Sequence, residues 1–408
     1  MALCKKCGKV SEETAKVLSL CVECIRKADK KSLVELSAGC LSAEAVHARS
    51  RQGFNLPASP PSNPDGIQCN LCQNKCRIPA AGRGYCGVRR NEGGLMKGGT
   101  PAEAVVSWYN DPLPTNCVAD WVCAGGSGAG YPQWAYRPGP EQGYVNLAVF
   151  YQACTFDCLF CQNWHYREHS TTNQTHTAAE LAEAVTAQTS CICFFGGDPT
   201  CQLPHALAAS RLARPVRNSG TPGEQGKGTP ILTYGVNYHT YKRVVSNGAR
   251  KQNRQRILRI CWETNGSMSP ELLEEMMGLS VESGGCIKFD LKAMDANIHY
   301  ALCGVDNRRT FENFAAAARH ISERPEPPPL VASTLLVPGY IDAQEVKAIA
   351  SFIAKLDSNI PYALLGFHGD FLMTDLPSTS WKQAESCLEA ATEAGLKRVR
   401  IGNVHILR

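Results

Sequence analysis

The sequence predicts an α/β fold, with a largely parallel sheet curled into a partial or full (βα) barrel behind a cysteine-rich N-terminal extension. Three observations carry that expectation. From Tyr144 onward, apolar runs of about four to eight residues alternate with longer amphipathic stretches, the pattern of strand–helix units around a parallel sheet. Ahead of Tyr144, cysteines recur at spacings of two or three residues. Hydrophobic residues make up 44% of the 408 positions and charged residues 19%, which provides a large core and excludes a disordered chain.

Taken in order, residues 1–54 carry Cys4, Cys7, Cys21 and Cys24 and then a charge-rich stretch with helical character. Residues 55–65 (NLPASPPSNPD) hold four prolines among polar partners, the composition of a linker. Residues 66–143 begin with Cys69, Cys72, Cys76 and Cys86, and from residue 91 are rich in Gly, Pro and Trp without periodicity, so an irregular connection is expected. Residues 144–408 form the barrel, with strands expected at Val145–Tyr151, Ile192–Phe195, Ile231–Tyr234, Leu258–Trp262, Cys286–Leu291, Leu330–Leu336, Tyr362–Gly366 and Val399–Asn403. Helices are expected to start near Thr177, Tyr238, Ser269, Thr310, Ala343 and Thr379, with Thr177, Ser269 and Thr379 as N-caps. The Gly/Pro-rich run from Arg214 to Thr229 is expected to be a surface insertion.

Composition narrows the function classes. A net charge of +5 over this length gives no case for nucleic acid. There is no uninterrupted apolar stretch of about 18 residues to span a membrane, and Cys4, Lys5, Lys6 and Cys7 stand where a signal peptide would need its apolar core. A cytoplasmic protein is expected on that basis. In a reducing compartment an odd number of cysteines, 21, clustered at short spacing, points to metal ligation over disulfides.

After the first barrel strand the chain reads ACTFDCLFCQNW, placing Cys154, Cys158 and Cys161 within eight residues. That spacing lets one loop wrap an iron–sulfur cubane while leaving one iron without a protein ligand; a zinc knuckle or unliganded core cysteines are the alternatives. Cys4, Cys7, Cys21 and Cys24 form CxxC–x13–CxxC, close to the spacing of small four-cysteine zinc sites, with a second iron–sulfur site as the alternative. Cys69, Cys72, Cys76 and Cys86 could enclose a second [4Fe–4S] cluster or a structural zinc, because both accept four sulfurs. The other cysteines are expected to act mostly as small buried hydrophobes, with Cys303 the one placed to face the site. His165, His239, His368 and His405 lack metal-like partners, and GGSGAG at Gly125–Gly130 lacks the strand and helix of a nucleotide loop.

With Phe160 before its last cysteine, CxxxCxxC resembles the signature of the radical S-adenosylmethionine (SAM) superfamily. FFGGDPT is similar to that family's GGE-type motif, and offers Gly196, Gly197, Asp198 and Pro199 at a strand end, with Asp in place of the usual Glu. CWETNG and KFDLKAMD resemble segments of enzymes that activate glycyl-radical enzymes such as pyruvate formate-lyase, which implies that Asn265, Asp290 and Lys292 approach SAM or substrate. The upstream segment with Cys69, Cys72, Cys76, Gly84, Cys86, Gly87, Val88 and Arg89 resembles AmmeMemoRadiSam-type proteins. The resemblance implies a radical SAM barrel with a [4Fe–4S] cluster on Cys154, Cys158 and Cys161. SAM would be reductively cleaved there to a 5′-deoxyadenosyl radical, with Phe160 among the cofactor-binding residues. It further implies a low-potential electron donor of the ferredoxin or flavodoxin kind and, for an activating enzyme, a protein substrate. Radical modification of a small molecule or peptide is one alternative; a multi-metal scaffold or electron-transfer protein is the other.

Overall fold

Among the described residues eight strands, numbered here in chain order, make one sheet in which sequence neighbours are spatial neighbours: β1 Val106–Pro112, β2 Val145–Tyr151, β3 Thr189–Gly196, β4 Arg259–Thr264, β5 Ile287–Asp290, β6 Leu330–Leu336, β7 Tyr362–Gly366 and β8 Val399–Gly402. The computed structural model describes residues 1–28, 42–172, 174–214 and 256–408. Strands β2 to β8 pair in parallel, and β1 runs antiparallel along β2. Among the described residues β1 and β8 are the two edges of the sheet, so the barrel these strands form is partial. The expected strand at Ile231–Tyr234, the helix near Tyr238 and nearly all of the insertion from Arg214 lie outside the described residues, as do His239 and Cys40.

Alternation along the strands sorts the core into two layers. On the helix side Phe194 stacks on Trp262 at 4.5 Å, and Trp262 Nε1 donates to Ser280 Oγ at 3.1 Å. On the other face Cys193, Cys261, Cys286 and Val331 pack against Ala119 and Val122 of the segment ahead of β2. Both faces are thereby covered, as a parallel sheet requires.

Helix boundaries follow local chemistry. Thr177 caps Ala178–Glu183 through a reciprocal box with Glu180, and Ser269 caps Pro270–Ser283, which opens on a proline and closes at the left-handed Gly284. Ala343–Leu356 starts where expected, capped by Asp342. The helix expected from Thr310 begins at Arg308. Thr379 is not a cap: Ser380 caps Trp381–Glu393, while the Thr379 hydroxyl donates to Leu336 O at 2.7 Å and accepts from Phe367 N at 2.8 Å.

The segment from residue 91 is also more ordered than its composition suggested. It supplies β1, seven residues long, and the strand Leu95–Lys97, paired with Arg90–Glu92. Polar and exposed positions on an edge strand hide the alternation that marks an inner one. The proline-rich stretch lies along the ribbon Ile67–Ile78, where Pro61 O accepts from Arg77 N at 2.7 Å.

Residues 1–28 are built onto the loops that follow the strands. Buried Tyr340 donates to Leu20 O and accepts from Ala15 N, each at 3.0 Å. Arg26 spans both oxygens of Asp342 at 2.8 and 2.9 Å. Helix Ala43–Gln52 presses its His47 ring against Gly304, at the end of helix Ala296–Cys303.

Candidate functional site

A cleft of about 310 Å³ opens at the C-terminal ends of the strands, where catalytic groups of α/β barrels gather. Its wall includes Cys154, Cys158, Phe160 and Cys161 from the loop after β2, and Gly196, Gly197 and Asp198 from the end of β3. Asn265, Asp290 and Lys292 complete the groups picked out from sequence. Pro199 stands behind them as the first residue of the tight turn Pro199–Gln202.

The glycine pair is required by packing. Gly196 has φ of +114°, and a Cβ there would sit 2.6 Å from Tyr151 N; at Gly197 it would sit 2.2 Å from Ala153 O. Strand β3 therefore lies directly against the cysteine loop. Asp198 is turned inward: one oxygen accepts from Thr200 N at 2.8 Å, the other from Thr264 Oγ1 at 3.0 Å and Asn265 N at 2.7 Å. Burial raises its pKa, against the pull of those donors. Asn265 in turn donates to Thr155 Oγ1 at 2.8 Å and reaches Cys154 Sγ at 3.7 Å.

Lys292 pairs with Asp290, and its ammonium lies 5.6 Å from the centre of the Phe160 ring. The second oxygen of Asp290 is buried with no partner. A buried acceptor left without a partner beside a cleft is uncommon in a folded chain and marks Asp290 as a group to explain. The three loop thiols sense one another's charge, Cys154 with Cys158 and Cys158 with Cys161; burial raises Cys154 and Cys161, and a hydrogen bond with Cys303, joined by burial, raises Cys158. Three buried thiols sharing one space suit a thiophilic cluster that supplies the compensating positive charge. Cys303 packs behind Cys158 and does not line the cleft.

Several groups escaped the sequence reading. Asp157, fully buried inside the loop, accepts from His47 Nδ1 at 3.0 Å and Arg167 Nη2 at 3.1 Å, with Arg51 at 3.5 Å. Burial favours the neutral acid, but His47 and Arg167 hold its pKa below the usual carboxylate range. Backbone N–H groups of Asp157 and Leu159 donate to Cys303 O and Leu302 O, each at 2.9 Å. The one signal for this clamp was the i, i+4 pair His47 and Arg51 on an otherwise buried helix face.

The other cysteine groups also assemble. The sulfurs of Cys4, Cys7, Cys21 and Cys24 all lie within 4.8 Å of one another, with Cys7 and Cys21 at 3.7 Å. Tetrahedral Zn–S bonds of about 2.3 Å place sulfurs about 3.8 Å apart, so the donor set fits a metal ion such as zinc. Cys69, Cys72, Cys76 and Cys86 line a second small cavity with Thr155, Arg89 and Cys201. Arg89 is buried with Nε unpartnered, and a contact from Cys201 draws the Cys86 thiol down to about 6. Neither Arg89 nor Cys201 had been singled out there as a contributor of charge or hydrogen bonds.

A partial parallel barrel with a three-cysteine loop at its mouth defines a class, and comparison with known proteins agrees. The model of the radical SAM superfamily matches residues 148–353, just over half of the chain. The chain belongs to the radical SAM superfamily, whose members are enzymes and whose fold implies a [4Fe–4S] cluster and SAM. It is 24% identical over 342 residues to an uncharacterized protein of Methanocaldococcus jannaschii, covering 83% of this chain and 81% of that one. It is 31% identical over 119 residues to the isethionate sulfite-lyase activating enzyme of Desulfovibrio desulfuricans, covering 29% of this chain and 35% of that enzyme. Among solved structures, a domain of a pyruvate-formate lyase-activating enzyme from Bacteroides vulgatus matches with a TM-score of 0.30 and 23% identity, over 36% of this chain and 81% of that domain. Among the described residues, no helix is long and apolar enough to cross a membrane.

Proposed function

We propose that this chain is an activating-enzyme-like radical SAM oxidoreductase. It reductively cleaves SAM at a [4Fe–4S] cluster held by Cys154, Cys158 and Cys161, and generates a hydrogen-abstracting 5′-deoxyadenosyl radical. One observation carries the reading: the three thiols of a single loop share one cleft with Asp198, Asn265, Asp290 and Lys292 at the strand ends. The cluster, when bound, supplies the electron and an open iron for the amino and carboxylate groups of SAM.

The chain's own groups hold and orient. Asp198 braces the turn that carries Asn265, and Asn265 offers an N–H to the Cys154 sulfur. The paired Asp290 and Lys292 present a carboxylate and an ammonium at the cleft wall for the polar groups of SAM, each neutralising the other. Gly196, Gly197 and Pro199 keep backbone close to the loop, and Phe160 walls the cleft. Cys4, Cys7, Cys21 and Cys24 hold a structural zinc; Cys69, Cys72, Cys76 and Cys86 hold a second metal site, zinc or iron–sulfur.

The relative named as a lyase-activating enzyme favours a protein substrate on which a glycyl radical is made. A low-potential ferredoxin or flavodoxin in the cytoplasm would supply the electron. Anaerobic reconstitution is expected to load about four irons and four sulfides at the three-cysteine loop. The reduced protein should then release 5′-deoxyadenosine from SAM. Zinc at that loop, or a Cys158→Ala variant that still cleaves SAM, would defeat the proposal and leave a multi-metal scaffold.

A further inference from the structure

Below the cleft lies a set of thiols that the proposed function does not use. Cys193 on β3 sits in register with Cys261 on β4, and the pairing of Trp262 with Ile287 brings Cys286 beside Cys261. Above this row Lys288, only 2% exposed, directs its ammonium at three groups: Cys193 Sγ at 3.0 Å, Cys117 Sγ at 3.2 Å and Glu263 Oε1 at 3.1 Å. An ammonium has three N–H donors, so this tripod satisfies it in full. Cys117 also lies 3.7 Å from the same Glu263 oxygen, which accepts from its S–H.

Cys117, Glu263 and Lys288 line the cleft that holds the three-cysteine loop; Cys193 lies beneath them. Glu263 precedes Asn265, the contact of Cys154, by two residues. At about 3.3 Å per strand residue, the Cys117 group is therefore about 7 Å deeper than the cluster loop. Burial pushes the Cys117 thiol up to about 12 in spite of Lys288 beside it, so sulfur keeps its hydrogen at neutral pH. A thiol held protonated is a poor nucleophile and a poor metal ligand. What it retains is an S–H bond weaker than the C–H of an alkyl group.

We infer that Cys117 is a catalytic hydrogen-atom relay, positioned by Lys288 and Glu263, between the SAM-derived radical and a substrate C–H bond. The inference rests on the SAM cleavage proposed above. In the first step the S–H bond breaks and a C–H bond forms, giving 5′-deoxyadenosine and a Cys117 thiyl. In the second, the thiyl takes a hydrogen atom from the substrate, remaking S–H and leaving the radical on the substrate carbon. Atoms and electrons balance without a further oxidant or reductant. The second step requires a C–H whose radical is spread over an adjoining nitrogen and carbonyl, as at the α-carbon of a peptide glycine.

Thiol hydrogens exchange with solvent and carbon-bound ones do not, which makes the relay visible. The reconstituted, reduced full chain is given SAM in D2O, and the mass of the 5′-deoxyadenosine is read. Label per molecule formed is the readout, so a slower variant stays readable. The relay predicts one deuterium in wild-type product, lost in Cys117→Ala and in Cys117→Ser, whose O–H bond is too strong to give up its hydrogen. Unlabelled wild-type product, or label persisting in both variants, would overturn it. If no 5′-deoxyadenosine forms at all, the underlying SAM cleavage fails, and the relay with it. A second readout needs no turnover: in unreduced, folded holoprotein, Cys117→Trp, which adds bulk to that wall of the cleft, should weaken SAM binding by about tenfold or more in calorimetry. SAM bound equally well by Cys117→Trp and wild type would also overturn the relay.

Discussion

His47 Nδ1 donates a 3.0 Å hydrogen bond to Asp157, a carboxylate flanked in sequence by Cys154 and Cys158 and 110 residues further along the chain. The N-terminal helix thus grips the loop of the candidate active site from behind. Replacing His47 by Ala leaves Asp157 buried with one donor fewer, at a cost of about 1–3 kcal/mol. The variant should melt earlier and lose loop iron faster to a chelator than wild type. Equal rates of iron loss would show that the grip does not matter to the loop.

Asn265 lies 3.7 Å from Cys154 Sγ, a contact that would tune the potential of a cluster held there. N–H donors to thiolate sulfur stabilise the more negative, reduced state of a cluster. Asn265→Ala should therefore shift the midpoint potential of the loop cluster downward in a redox titration followed by EPR. An unchanged or raised potential would argue that the amide serves only Thr155.

His205 and His299 give the fold a pH dependence of definite sign. Burial lowers each to about 4, and each has an Nε2 without a partner. The unfolded imidazole titrates near 6.5, so below that pH the unfolded chain binds protons that the folded chain refuses. Their stabilising contribution is fully present above about 6.5 and declines as pH falls toward 4, by on the order of 2–3 kcal/mol for each histidine. Denaturant midpoints measured between about pH 7 and pH 4.5 should fall, less steeply in His205→Gln. A flat profile would contradict the burial of neutral imidazoles.

How much was legible in the sequence divides along physical lines. Strands β2, β6 and β7 have the residue bounds expected for them, because strands buried on both faces write themselves as unbroken apolar runs. Edge strand β1 was missed, since Trp108 and Asp111 are only partly covered, Tyr109 and Asn110 are exposed, and the four show no such run. In the site, the cysteine spacings and the glycine pair were visible because short-spaced thiols and close backbone approach leave a local mark in the sequence. Asp157, Arg167 and the tripod on Lys288 were not, because charges that meet only in the folded chain leave no local spacing.

The four-cysteine set near the N-terminus should behave as a staple. Four thiols within 4.8 Å oppose each other's ionisation: Cys4 is drawn down to about 6 by backbone N–H groups even though burial opposes it, while burial and neighbouring thiols push Cys24 up. A bound cation removes that conflict. Cys21→Ser should lower zinc to well under one per chain and expose residues 1–28 to protease, with loop iron retained. Intact zinc in the variant would show that these thiols are not its ligands.

Gly304 tests whether backbone shape at one helix end controls the loop through His47. It closes helix Ala296–Cys303 in the left-handed region, at φ of +73°, where a side chain is strained whatever the space. Space is lacking as well, since a Cβ there would meet His47 Cγ and Nδ1, each at 2.9 Å. Nδ1 is the atom that donates to Asp157, so an added methyl pushes directly on that bond. Gly304→Ala should cost about 1–3 kcal/mol from the strain and the displaced ring together. Combined with His47→Ala, which empties the ring's place, the cost should fall to the backbone part alone, about 1–2 kcal/mol. Thermal melts of the two single variants and the double variant decide it: strict additivity would mean that the helix end and the imidazole do not press on each other.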